Sequence, residues 1–312
     1  MKKFLFFYLI FTSVLVGQES NDKIIYLDSL KKETSKENHV FYRLVKDYFL
    51  NKPEYEIKEY YKSGALKGEG LSQTRDKISY RSKWISYHEN GNKESITNYV
   101  NGRPSGSIEQ WYENGNKRMI GEYIAKSDDK LEYDLKVLQF WNSKNVQTVV
   151  DGNGEYDEVE TYSIASGKVK NGWKEGEWKG RHPMLKYTFV EIYKDTKLIS
   201  GKSIDTLNNE YNYEKVFLPP RPKKGIDHFY KYIAKKFRIP KKYGYIDGKI
   251  ILDFVIDKDG SITNVRILKG MNDEYNNEAI RLISEYPDWG VGELRGIKVK
   301  TSYSIPISFT SD

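Results

Sequence analysis

A chain of 312 residues has room for two domains of ordinary size, and 38% hydrophobic with 14% aromatic residues supplies real cores, which excludes wholesale disorder. A mean hydropathy of -0.72 with 30% charged residues excludes a multi-span helical membrane protein, and the formal net charge of +7 marks a basic surface. Cysteine is absent, which removes disulfides, thiolate nucleophiles, Cys-ligated zinc, iron–sulfur clusters and an acylated N-terminal cysteine.

In chain order, Met1-Lys2-Lys3 precedes an apolar run from Phe4 to Val16, and the small Gly17 gives way to polar Gln18-Glu19-Ser20. This is the layout of a secretory signal peptide, and the run is shorter than the roughly 20 apolar residues of a spanning helix. Residues 1–17 are expected to be cleaved off near Gly17 and Gln18, leaving a periplasmic chain. An uncleaved inner-membrane anchor is the second reading. Residues 18–54 lead into the first sheet.

The segments Tyr60 to Lys67 (YYKSGALK), Tyr87 to Glu94 (YHENGNKE) and Trp111 to Arg118 (WYENGNKR) repeat one another, with Gly64, Gly91 and Gly115 aligned. Phe140 to Gln147 (FWNSKNVQ) reads as a degenerate fourth copy in which Lys144 replaces the glycine, and Ile192 to Ile199 (IYKDTKLI) as a fifth. Asn-Gly pairs at 101–102 and 171–172 lie between β-forming residues and predict tight hairpin turns, because Asn-Gly tolerates positive φ. Residues 55–205 are therefore expected to form repeated β-hairpins whose aromatic side chains stack as core rather than line a ligand groove. These residues resemble the MORN-like repeat variant of exported bacterial proteins, which implies an elongated β-meander.

Residues 206–222 close with Phe217-Leu218-Pro219-Pro220-Arg221-Pro222, which reads as a stiff linker carrying few contacts. Beyond it, Ile226, Phe229, Tyr230, Ile233, Ala234 and Phe237 follow helical spacing up to a stop before Pro240. Gly248 to Asp257 and Ser261 to Lys269 read as two strands joined by Lys258-Asp259-Gly260. A second helix begins at Asn272 or Asp273, carries Tyr275, Ala279, Ile283 and Tyr286 on one face, and stops at Pro287. The final strand, Gly296 to Phe309, alternates one core face with one wet face. The fold class is thus a mostly β region of repeated hairpins plus an α+β C-terminal domain, residues 223–312, ordered helix, strand, strand, helix, strand with a three-stranded antiparallel sheet.

The run "GKIILDFVIDKDGSITNVRILKG", the helix "NEAIRLI", the "PDW" at Pro287 to Trp289 and the strand "GIKVKTSYSIPISF" resemble the C-terminal domain of TonB over residues 225–310. "GVGELRG" after Trp289 departs from the family's usual Pro-Gly. The resemblance implies protein binding in the periplasm, with a short peptide of an outer-membrane transporter adding as a strand along Lys298, Val299, Lys300, Thr301, Ser302, Tyr303 and Ser304. Pro306 independently argues for an edge, since proline cannot donate to a ladder. The basic cluster Lys231, Lys235, Lys236, Arg238, Lys241 and Lys242 is either a solvated helix face or a surface for anionic envelope material.

Catalysis finds little support. His39, His88, His182 and His228 occur singly, no HExxH or Gly-x-Ser-x-Gly spacing is present, and Asp257-x-Asp259-Gly260 lacks the later ligands of a calcium loop. No enzyme activity, metal, cofactor or nucleic-acid partner is expected. The family's energy transducers carry Ser and His four residues apart in a membrane helix; here Ser13 is followed at that distance by Gly17, so an adaptor role is the better fit. The competing reading is an envelope scaffold whose repeats bind a protein or an envelope polymer.

Overall fold

The computed structural model describes residues 21–125, 133–159 and 162–309; the signal-peptide reading falls outside them. The chain divides into two compact units, Met1–Gly152 and Asn153–Asp312.

In the first unit the chain meanders through β1 (Lys23–Leu27), β2 (Phe41–Val45), β3 (Tyr55–Tyr61), β4 (Leu66–Ser72), β5 (Tyr80–Tyr87), β6 (Lys93–Val100), β7 (Arg103–Trp111), β8 (Lys117–Ala125), β9 (Tyr133–Trp141) and β10 (Gln147–Val150), each strand beside its sequence neighbour. The sheet begins ahead of the repeats, since β1 and β2 pair with each other and β2 with β3. Two turn types recur along the sheet. After β7 the Tyr112 amide donates to Asn116 O at 2.9 Å and the Gly115 amide to Tyr112 O at 2.8 Å, a three-residue loop with Gly115 at φ 84. Gly64 and Gly91 hold the same place after β3 and β5, at φ 91 and 87. After β6, Asn101 and Gly102 form the expected two-residue turn with both φ positive.

The fourth repeat needs a correction: Asn145, at φ 59, holds the glycine's place, because the amide of Asn145 donates to Asn142 O just as Gly115 donates to Tyr112 O. Lys144 is one position early. Trp141, not Phe140, is the counterpart of Trp111, each ending its strand.

The second unit opens with β11 (Asn153–Val159), β12 (Ile164–Lys170), β13 (Trp173–His182), β14 (Tyr187–Lys194), β15 (Lys197–Ile204) and β16 (Glu210–Tyr213). The supposed fifth repeat, Ile192 to Ile199, instead makes a two-residue turn at Asp195-Thr196, with Lys194 paired to Lys197. The three-residue loop recurs later, at Asp205 to Asn209, where Asn208 takes the left-handed conformation at φ 63. Strand glycines sit opposite aromatic rings: Gly167 pairs with Trp178, Gly180 with Phe189 and Gly201 with Tyr213, as Gly70 pairs with Trp84 in the first unit. Each ring lies over the place a Cβ would occupy; on Gly180 it would stand 2.2 Å from Phe189 Cζ. The aromatics at these positions are core, Trp178 fully so.

Next come β17 (Phe217–Leu218), β18 (Arg221–Pro222), α1 (Ile226–Lys236), β19 (Gly248–Ile256), β20 (Ile262–Lys269), α2 (Asp273–Glu285), β21 (Trp289–Gly290), β22 (Gly292–Leu294), β23 (Ile297–Val299) and β24 (Thr301–Phe309). The expected α+β domain forms around a three-stranded antiparallel sheet ordered β20-β19-β24. Phe229 and Ile233 of α1, and Tyr275, Ala279, Leu282 and Ile283 of α2, pack on Leu252, Phe254, Ile305 and Trp289 in one core. Asn272 caps α2, its side chain accepting the Tyr275 amide at 3.0 Å.

The proline-rich segment is no bare spacer. Phe217 pairs with Leu294, Pro222 with Trp289, and Pro220 and Pro222 are buried. Proline restricts φ but leaves its carbonyl and ring free to pack, so a stiff segment can still be zipped to a neighbour.

Candidate functional site

The last strand divides where its alternation runs on unbroken. Arg295 and Gly296, at φ 52 and 76, make a two-residue turn that pairs β23 with β22, whereas β24 pairs with β19. Lys298 and Val299 therefore belong to a different sheet from Thr301, Ser302, Tyr303 and Ser304, with Lys300 as the joint. Alternation reports which face a side chain takes and not which strand its backbone bonds.

Among the described residues, β24 has β19 on one side and no strand on the other. Which backbone groups face the open side follows from two contacts. The Tyr230 hydroxyl of α1 donates to Pro306 O at 3.3 Å, so the Pro306 carbonyl points away from β19. Ser304 Oγ donates to Asp253 Oδ1 at 3.0 Å across the pair Asp253 and Ser304, the close approach of side chains typical of a non-hydrogen-bonded pair. Since N–H and C=O directions alternate along a strand, Ser302 and Ser304 share the orientation of Pro306. Their amides and carbonyls face the open edge, and proline falls where no ladder donor is needed.

The outer face is more engaged than the sequence implied. Asp253 also binds Arg266, Nη2 to Oδ2 2.6 Å, and Lys300 Nζ lies 3.1 Å from Asp257. The Lys258 amide and then the Lys300 ammonium hold the Asp257 carboxyl below its ordinary range. Asp257 and Asp259 thus serve the β19–β20 turn, where the Gly260 amide donates to Asp257 O at 2.9 Å. Tyr303 points inward, its ring 5.3 Å from that of Trp289, so it supports the edge from beneath.

Two hollows flank the edge. At the Pro306 end, about 520 Å³ is bounded by Tyr230, Ala234, Ile239 and Tyr245 together with Pro306 to Phe309. Tyr230 and Ala234 belong to the apolar stripe expected of α1, yet only Phe229 and Ile233 of that helix are buried. At the other end, about 460 Å³ is lined by Leu185, Phe217, Leu294 and Val299 with Lys258, Lys300, Thr301 and Ser302.

Lys231, Lys235 and Lys236 lie exposed on α1, and Arg238 and Lys241 follow it, while Lys242 is 3.4 Å from Glu274 and over the Tyr243 ring. A buried cluster went unforeseen: Arg295 Nε bonds Glu191 Oε1 at 2.8 Å and stacks 3.9 Å from the Phe189 ring, while Tyr213 and Tyr193 donate to the same carboxylate at 2.8 and 3.0 Å. Glu191 lies on β14 and Arg295 in the β22–β23 turn, too far apart in sequence for any local pattern to join them. Only the Arg-Gly pair between two short β runs hinted at the turn.

Residues 242–311 match the family described as Gram-negative bacterial TonB protein C-terminal. This covers α2 and the whole β20-β19-β24 sheet of the TonB-like domain and begins after α1. Domains of this family are non-enzymatic protein-interaction modules of the envelope, with outer-membrane transporters among their partners. No curated protein matches the chain. Among the described residues no helix is long and apolar enough to cross a membrane.

Proposed function

We propose that this is an exported adaptor whose TonB-like domain captures an extended segment of another envelope protein, an outer-membrane transporter being the partner class, by strand addition to β24. The orientation of Ser302 and Ser304 carries this reading: two residues offer paired donors and acceptors on a side with no neighbouring strand among the described residues. Addition is bounded at one end, where Tyr230 already occupies the Pro306 carbonyl. The added strand is therefore short, registering on Lys300 to Ser304, and main-chain bonds supply much of its affinity.

Amide shifts followed by NMR while transporter-derived peptides are titrated into the protein test this. Changes at Ser302 and Ser304 are expected, and Ser302→Pro removes binding while leaving the fold intact, because the lost N–H faces outward. Shifts confined to Tyr230 through Lys242, with β24 silent, would instead support an anionic surface as the partner.

A further inference from the structure

We infer that the hollow at the Thr301 end of β24 is an anchor pocket for an apolar side chain of the incoming strand, and that the hairpin repeats supply one of its walls. This rests on the strand-addition reading above and goes beyond it by assigning the partner's chemistry and a binding role to Leu185. Leu185 comes from the β13–β14 loop, Phe217 from β17, Leu294 from β22 and Val299 from β23, so four separate segments converge on one apolar floor. Leu185 and Phe217 stay 44% and 47% exposed there, an unfavourable arrangement unless something covers them.

The pocket is preformed. The Leu185 amide donates to His182 Nδ1 at 3.1 Å and the Lys186 amide to His182 O at 2.8 Å. His182 is itself buried, its ring 5.1 Å from that of Tyr187. On the far side Phe217 is fixed by its pairing with Leu294. The loop tip is thus held rather than draped, and Leu185 projects into the hollow at little further entropic cost on binding.

Two features select the occupant. The hollow is continuous with the open edge, since Thr301 and Ser302 line it, which favours an extended peptide over a compact small molecule. Its rim carries Lys258 and Lys300, and since Lys300 is paired with Asp257 at 3.1 Å, Lys258 is the cation that faces an incoming carboxylate. The geometry therefore fits a peptide with a leucine-sized or aromatic anchor at the end that runs past Ser302, flanked by a carboxylate.

The test uses the full-length mature protein and two fluorescein-labelled heptapeptides of alternating threonine and valine, with leucine and aspartate placed at the amino end in one and the carboxyl end in the other. Each has a twin in which serine replaces the leucine. Anisotropy titration should show one leucine peptide binding wild type about tenfold or more tighter than its twin, as burial of a leucine-sized side chain implies. Leu185→Ser should erase that preference, and Ser302→Pro should abolish binding of both. Unaltered far-ultraviolet circular dichroism and melting temperature confirm that the variants fold, and Leu185→Met should retain the preference.

If wild type binds the peptides and Ser302→Pro abolishes binding but Leu185→Ser changes nothing, the anchor pocket is refuted and strand addition stands. Binding that survives Ser302→Pro refutes strand addition and the pocket with it, as does a failure of wild type to bind any of the four. Concentration-dependent self-association in sedimentation that Leu185→Ser removes would make a second copy the occupant and overturn the proposal.

Discussion

At the scale of single residues the second unit turns on Glu191, which is 1% exposed and accepts from Arg295, Tyr193 and Tyr213. Burial, and then the Glu191 charge, push the Tyr193 and Tyr213 phenols far above their ordinary range. Glu191→Ala strands an arginine that cannot shed its proton, so a loss of about 3–5 kcal/mol is expected in chemical denaturation. Glu191→Gln, which keeps an acceptor for the hydroxyls, should lose less. His182 gives a pH signature. Its Nδ1 accepts a backbone N–H and burial holds its pKa below the ordinary imidazole value, so the folded state prefers the neutral ring. The unfolded chain then binds the extra proton first, and the stability contribution is complete above about pH 6.5 and fades as pH falls through the folded-state pKa. Denaturation midpoints measured from pH 7.5 to 5 should fall, and His182→Asn, with an amide oxygen in place of Nδ1, should flatten that slope.

Among the elements, the β-strands depend on the glycines that face aromatic rings. Gly180→Ala and Gly167→Ala force a methyl group toward Phe189 and Trp178, where a Cβ would stand at 2.2 and 2.5 Å. Each should cost about 1–3 kcal/mol as overpacking, read as a lower melting temperature, whereas alanine at an exposed strand position such as Ser166→Ala should not. This scale also shows what a linear chain reveals. The α1, β19, β20 and α2 segments were legible because their apolar periods change cleanly and because Asn272, Pro240 and Pro287 mark the boundaries. The break at Lys300 was not, since Ile297 to Phe309 keeps one period while its backbone changes partners. The fourth repeat was misread by one place because Phe140-Trp141 offers two aromatics that align equally well, and only the turn hydrogen bonds choose between them. At the proposed site, the alternation and Pro306 point to Thr301 to Ser304 as strand residues at an edge, whereas nothing in the sequence points to Leu185: an apolar residue in a polar loop gains meaning only when a distant strand is brought beside it.

For the whole molecule, Lys223 as a starting point removes β17 and β18, the partners of β22 and β21, as well as Glu191. A fragment of residues 223–312 should therefore melt at a lower temperature than one of residues 153–312 when both are followed by circular dichroism; equal melting temperatures would show the hairpins to be dispensable. Residues 1–17 predict a mature chain beginning near Gln18, which amino-terminal sequencing of fractionated protein checks. The placement of the three-residue loops bears on how such a sheet changes length. In the first unit, three-residue loops follow β3, β5, β7 and β9, while the two-residue turn follows β6. Losing one strand would reverse every strand after it, placing each kind of turn at the opposite rim and breaking the matched rows. Insertions and deletions in such a sheet should therefore come as whole hairpins, so that its length is inherited in steps of two strands.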